Sequence, residues 1–120
     1  MYRVAAEISI LAVAPSPRRI AAPVPNAASD EFSGLRQAGG LSGYPSRQES
    51  AHDWVENSHA STILSYAYGI ATALETNDSD RRVVAIIGDG SMTGGMAFEG
   101  LNNLGLTGRR CVIILNDNGR

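Results

Sequence analysis

The chain has 120 residues, 43% of them hydrophobic and 18% charged, with a formal net charge of −2. That composition fits one small globular domain and excludes a wholly disordered chain or a basic nucleic-acid surface. One cysteine, Cys111, excludes an internal disulfide framework or a cysteine-rich zinc site, and no run reaches the ~18 apolar residues of a membrane-spanning helix.

Residues 1–31 differ from the rest. Pro15, Pro17, Pro23 and Pro25 lie close together. Each fixes its own φ and lacks an N–H donor, so no regular element is expected there. The apolar stretch Val4–Val13 leaves helix and strand both open. This segment is expected to be an atypical Pro/Ala-rich tail without a catalytic group. Residues 32–120 are expected to be the ordered part.

From Phe32 the pattern tightens. Gly39, Gly40 and Gly43 punctuate a loop ending in Tyr44-Pro45 and continuing through Ser46–Ser50. Ser61–Leu74 predicts a helix whose small residues Ala67, Gly69, Ala71 and Ala73 permit close approach to another backbone. Asn77-Asp78-Ser79 predicts its terminating turn. Val83–Ile87 is a continuous, mostly β-branched run and predicts a buried strand. Gly88-Asp89-Gly90 follows, then a predicted helix over Ser91–Leu104, broken by Gly105 and Gly108. Met92, Met96, Phe98 and Leu101 are its expected packing face. Cys111–Leu115 predicts a second buried strand, and Cys111 reads as a small core residue. The chain closes in Asn116-Asp117-Asn118-Gly119-Arg120.

Two strands joined through a helix make a βαβ unit, because a parallel pair needs such a crossover. The expected fold class is α/β, a three-layer α/β/α arrangement with a parallel sheet. Both strands then end at one sheet edge, which brings Gly88-Asp89-Gly90 beside Asn116-Asp117-Asn118. The carboxyl edge of an open α/β sheet is where ligands bind.

Asp89 and Asn118 offer hard oxygen ligands. With a backbone carbonyl they suit Mg²⁺, completed by phosphate oxygens and water. Gly88 and Gly90 allow a tight turn and close approach of a diphosphate, and the following helix can direct free N–H groups at the same anion. A plainer reading stays open, in which Asp89 caps the helix and Asn118 shapes a turn. Lysine is absent from the chain, so a P-loop is excluded. Gly88, Gly90 and Gly94 miss the GxGxxG dinucleotide spacing by one position.

These blocks resemble a known family. Gly88-Asp89-Gly90 through Asn118 is similar to the thiamine-diphosphate motif. Several further stretches resemble 1-deoxy-D-xylulose-5-phosphate synthase: Gly39–Pro45, Arg47 with Glu49-Ser50, His52-Asp53, Ser58–Thr62, Gly88–Glu99, Leu101-Asn102-Asn103 and Asn116-Asp117-Asn118. The resemblance implies a thiamine-diphosphate-binding fold over residues 32–120. It also implies a cytoplasmic transferase that condenses pyruvate with D-glyceraldehyde 3-phosphate, releases CO₂ and makes 1-deoxy-D-xylulose 5-phosphate for isoprenoid and thiamine precursors. The implied cofactors are thiamine diphosphate and Mg²⁺, and the implied full-length assembly is a homodimer with no nucleic-acid or membrane partner.

Carried over by residue, Asp89 and Asn118 match metal ligands, and Arg120 matches a carbonyl ligand. Gly88, Gly90, Ser91 and Asn118 match cofactor contacts. His59 and Ser61 match the segment lining the cofactor, with His59 the catalytic candidate; a hydrogen-bonded wall residue is its alternative. His52 and the Arg47–Glu49 pair read as structural or surface features. The family's upstream active-site histidine has no counterpart before His52; in Asn57-Ser58-His59 no glycine precedes the histidine, where one is common, and Ala60 stands where serine is common. The expectation is therefore a fragment of a longer enzyme, inactive alone, with residues 1–31 foreign to the family. The alternative is a non-catalytic α/β module or inert remnant that binds Mg²⁺-diphosphate weakly.

Overall fold

The computed structural model describes the backbone of residues 10–14, together with residues 34, 36–40, 44, 46–48, 54–56 and 59–117. The regular elements are β1 (Ile10–Ala14), α1 (Ile63–Thr76), β2 (Arg82–Gly88), a 3₁₀ turn (Asp89–Thr93), α2 (Gly95–Thr107) and β3 (Cys111–Asn116). The strands form one sheet in the order β1-β2-β3.

The two β-branched runs pair in parallel, as the crossover requires, in a register from Val83↔Cys111 to Gly88↔Asn116. On the other side of β2, Ile10–Ala14 pairs antiparallel, from Ile10↔Ile86 to Ala14↔Arg82. The stretch left open between helix and strand is thus a strand over residues 10–14, and the sheet is mixed rather than purely parallel. An apolar segment ahead of the proline cluster satisfies the backbone edge that β2 would otherwise expose. The remainder of residues 1–31 lies outside the described residues.

Val83, Ala85 and Ile87 are fully buried while Val84 and Ile86 are half-buried, the period of a strand with one covered face. Ile63, Leu64, Ala67 and Ala71 of α1 and Ala97 and Leu104 of α2 join them in one core. Both helices therefore cover the same face. Among the described residues the domain has two layers, where a third was expected.

Small residues set the helix–helix distance. A Cβ on Gly100 would lie 2.7 Å from Leu64 Cβ and 3.1 Å from Ser65 N, so α2 presses directly on the backbone of α1. The buried stripe of α2 is Ala97, Gly100 and Leu104. Met92 and Leu101 pack against the core as expected, but Met96 and Phe98 are 49% and 56% exposed. The close contact at Gly100 turns those larger side chains outward.

The predicted helix after Gly90 is two pieces. Gly94 is extended (φ −88°, ψ 142°) and separates the 3₁₀ turn from α2. Gly105 does not break α2; the helix ends at Gly108, whose left-handed φ of 63° favours glycine. The strand β3 is present, but Val112, Ile113, Ile114 and Leu115 are exposed, so it is not the buried strand its composition suggests. It stands at the sheet edge, where its first residue, Cys111, packs against the core and the rest of the strand is exposed.

At the amino edge of the sheet, Glu75 ties α1 to the start of β3. Arg109 Nη1 donates to its Oε2 at 2.7 Å and the Arg110 N–H to its Oε1 at 2.8 Å. These donors hold the Glu75 carboxyl below the usual carboxylate range. No helix among the described residues is long and apolar enough to cross a membrane.

Candidate functional site

Three features meet at the carboxyl edge of the parallel pair. β2 and β3 end in register at Gly88↔Asn116, so Asp89 and Asp117 follow on adjacent strands. The expected side-by-side placement of the two polar clusters holds as far as Asp117. Asn118 and Arg120, the other expected metal ligands, lie outside the described residues, as do His52, Asp53, Glu49 and Ser58.

The 3₁₀ turn carries the first cluster. Gly88 is extended and buried, and leads into Asp89 as the acidic residue of the first turn. Gly90 is exposed at the surface of the turn. Its carbonyl accepts from Thr93 Oγ1 at 2.8 Å, which closes the turn on itself. Ser91 is fully buried. Asp89 Oδ1 and Ser91 Oγ are both buried without a hydrogen-bond partner. Buried polar atoms are nearly always satisfied in folded proteins, so two orphans in one five-residue turn are unusual.

The segment before α1 reaches the same turn. Ser61 Oγ donates to the Ser91 carbonyl at 2.6 Å, across thirty residues of sequence. His59 is exposed, and its carbonyl accepts from Thr62 Oγ1 at 3.0 Å. The structure thus brings Ser61, Gly88, Asp89, Gly90 and Ser91 together, with His59 two residues before Ser61. Both α1 and α2 begin at this edge, and neither has a side-chain hydrogen bond capping its first turn. Uncapped helix N-termini leave N–H groups and a partial positive charge available to an anion.

Two contributors escaped the sequence reading. Thr93 closes the turn through its hydroxyl. Gly94 sits against Ser61: a Cβ there would collide with Ser61 Oγ and lie 2.7 Å from Ser61 Cβ. The doubled glycine Gly94-Gly95 was the available signal, and it was absorbed into the helix predicted over Ser91–Leu104.

Among the described residues at this edge, Asp89 is one that could hold a hard cation. Asp89 supplies an uncommitted carboxylate oxygen. No group of three or more His, Cys, Asp or Glu is placed to hold a metal among the described residues. Mg²⁺ does not need one, because it binds through one or two carboxylates plus phosphate oxygens and water.

Comparison with known proteins bears on the same segment. The family model described as 1-deoxy-D-xylulose-5-phosphate synthase matches residues 26–120. The protein of that name from Frankia casuarinae is 62% identical over 92 residues, which are 77% of this chain and 14% of that relative. The Mycobacterium avium protein is 60% identical over 91 residues, 75% of this chain and 14% of its own. That from Mycobacterium tuberculosis is 59% identical over 93 residues, 77% of this chain and 15% of its own. The matched stretch is thus about a seventh of the length of these relatives.

Proposed function

The chain belongs to the 1-deoxy-D-xylulose-5-phosphate synthase family, and from that premise we propose that residues 32–120 form the diphosphate- and magnesium-holding part of a thiamine-diphosphate site. The observation that carries the reading is the pair of orphaned buried oxygens, Asp89 Oδ1 and Ser91 Oγ, in a glycine-flanked turn at the carboxyl edge of a parallel strand pair. Asp89 holds Mg²⁺, with the Asn118 amide and the Arg120 carbonyl as further ligands. Gly88 and Gly90 let the backbone approach the diphosphate, and the uncapped starts of α1 and α2 offset its charge. Thiamine diphosphate, when bound, supplies the carbanion chemistry that joins pyruvate to D-glyceraldehyde 3-phosphate with loss of CO₂.

What this chain's residues contribute is placement. Rigid positioning of a cofactor supplies a large share of a rate enhancement. A turn braced internally by the Thr93–Gly90 bond and tied at Ser91 to Ser61 is suited to that task. His59, exposed ahead of α1, is the residue to hold or move a proton beside the cofactor. The proposed reaction belongs to the whole enzyme, a homodimer. The 120 residues alone anchor only the diphosphate end, so they bind weakly and do not turn over.

Calorimetry of thiamine diphosphate against the chain, with and without Mg²⁺, tests the reading. Heat of binding is expected only with Mg²⁺, and it disappears in Asp89→Ala. Because the Asp89 oxygen is unpartnered, Asp89→Ala should leave the ligand-free chain as stable as before, or slightly more so. Equal binding with and without Mg²⁺, or none under either condition, overturns the reading.

A further inference from the structure

Ser61 is the anomaly of the site. It has a left-handed φ of 68°, a conformation that favours glycine, and it is 7% exposed. A serine in that backbone position stores strain that a glycine would relieve. Its hydroxyl does not point to solvent but donates to the Ser91 carbonyl at 2.6 Å. Gly94, on the far side of the same turn, is packed so closely on the Ser61 side chain that any Cβ would collide with it. The hydroxymethyl group is therefore held between the Ser91 carbonyl and the Gly94 backbone.

We infer that Ser61 is a positioning residue: its hydroxyl clasps the Asp89–Thr93 turn to the start of α1 and fixes where Asp89 and Gly90 present themselves, without itself touching the cofactor. The inference rests on the reading of that turn as the Mg²⁺-diphosphate anchor. The physical logic is direct. A 3₁₀ turn of five residues has poor internal hydrogen-bond geometry and does not hold one conformation by itself. Thr93 braces it locally, whereas among the described residues Ser61 alone connects it by a side-chain hydrogen bond to a separate segment, the residues leading into α1. The backbone strain at Ser61 is the expense of placing a hydroxyl where no unstrained residue would carry one.

Ser61→Gly and Ser61→Ala separate positioning from structure. Both remove the hydroxyl. Glycine also relieves the left-handed strain, whereas alanine keeps it. If the hydroxyl positions the turn, amide hydrogen exchange across residues 90–93 of the ligand-free chain accelerates by about tenfold in both variants. Global stability nevertheless differs between them, with Ser61→Gly the more stable. Magnesium-dependent affinity for thiamine diphosphate falls by a similar factor in both. A purely structural residue would instead give a glycine variant with unchanged exchange and unchanged affinity.

Gly94→Ala supplies a second, independent arm. In the parent chain its Cβ displaces the Ser61 hydroxymethyl and loosens the same amides. In the Ser61→Gly background that obstacle is gone, so the added substitution has little further effect. Exchange at residues 90–93 that stays within twofold of the parent in both Ser61 variants overturns the inference. So does an identical effect of Gly94→Ala in the two backgrounds. These exchange measurements need no cofactor. A failure of the parent chain to bind thiamine diphosphate would count against the proposed function and not against the clasp.

Discussion

Gly100→Ala and Gly105→Ala place the same methyl group on the same helix and are expected to change stability in opposite directions. Alanine is favoured over glycine inside a helix by about 1 kcal/mol. At Gly105 nothing lies within 4 Å of the new Cβ, so that gain is realised and Gly105→Ala stabilises by ~0.5–1 kcal/mol. At Gly100 the new Cβ arrives 2.7 Å from Leu64 Cβ, with Leu64 C and Ser65 N both at 3.1 Å. These are backbone and near-backbone atoms of α1, so no rotamer change relieves the clash. Forcing a methyl into such a contact costs roughly 1–3 kcal/mol. The net expectation for Gly100→Ala is a loss of about 1 kcal/mol after the propensity gain is subtracted. Urea denaturation followed by circular dichroism measures both, read as a shift of midpoint at constant slope. Leu64→Ala should not rescue Gly100→Ala, because the clashing Cβ stays. It adds its own loss of ~2–5 kcal/mol for a fully buried side chain. Equal stabilisation by the two glycine substitutions would refute the close packing of α1 on α2.

Two further predictions concern the titratable groups. The Glu75 carboxyl is lowered by the Arg110 N–H and the Arg109 guanidinium, so the stability it contributes is present above the ordinary carboxylate value and is lost as pH falls through its lowered folded value. Midpoints measured from about pH 6 down to about pH 3 should show Glu75→Gln less stable at the upper end and converging on the parent at the lower end; a constant gap contradicts this. Burial pushes the Cys111 thiol up, with a backbone hydrogen bond from Ala85 opposing it. Cys111 should therefore react with a neutral-pH disulfide reagent more slowly than a free cysteine, and faster reaction would mean that β3 leaves its place in the sheet.

The parallel pair and its edge were legible because continuous β-branched runs admit few alternatives and a crossover helix dictates direction. The helix before β2 was legible from its small residues, of which Ala67 and Ala71 pack in the core while Gly69 and Ala73 are exposed. Other features depend on three-dimensional context. Ile10–Ala14 shows no clear period, so its strand state depends on the free edge of β2, which no local pattern reveals. The same apolar composition describes β2 and β3, yet β2 has fully buried residues while β3 is exposed beyond Cys111, since burial follows position in the sheet. The break at Gly94 was invisible because glycine is tolerated in a helix. Its reason is the Ser61 side chain, more than thirty residues earlier in the chain. At the carboxyl edge, the position of Asp89 was legible from the two strand runs and their crossover. The Ser61 clasp was not, because a left-handed serine has no sequence signature.

The proposed function has the Gly88–Thr93 turn and the end of β3 together hold a magnesium diphosphate. The most direct measurement is a titration of the isotopically labelled chain with thiamine diphosphate at saturating Mg²⁺, following backbone amide shifts. The largest changes are expected at residues 88–93 and 116–117 and at the first turn of α1, and they vanish when Mg²⁺ is chelated. Shifts concentrated elsewhere, or clustered at those residues but indifferent to Mg²⁺, would contradict it.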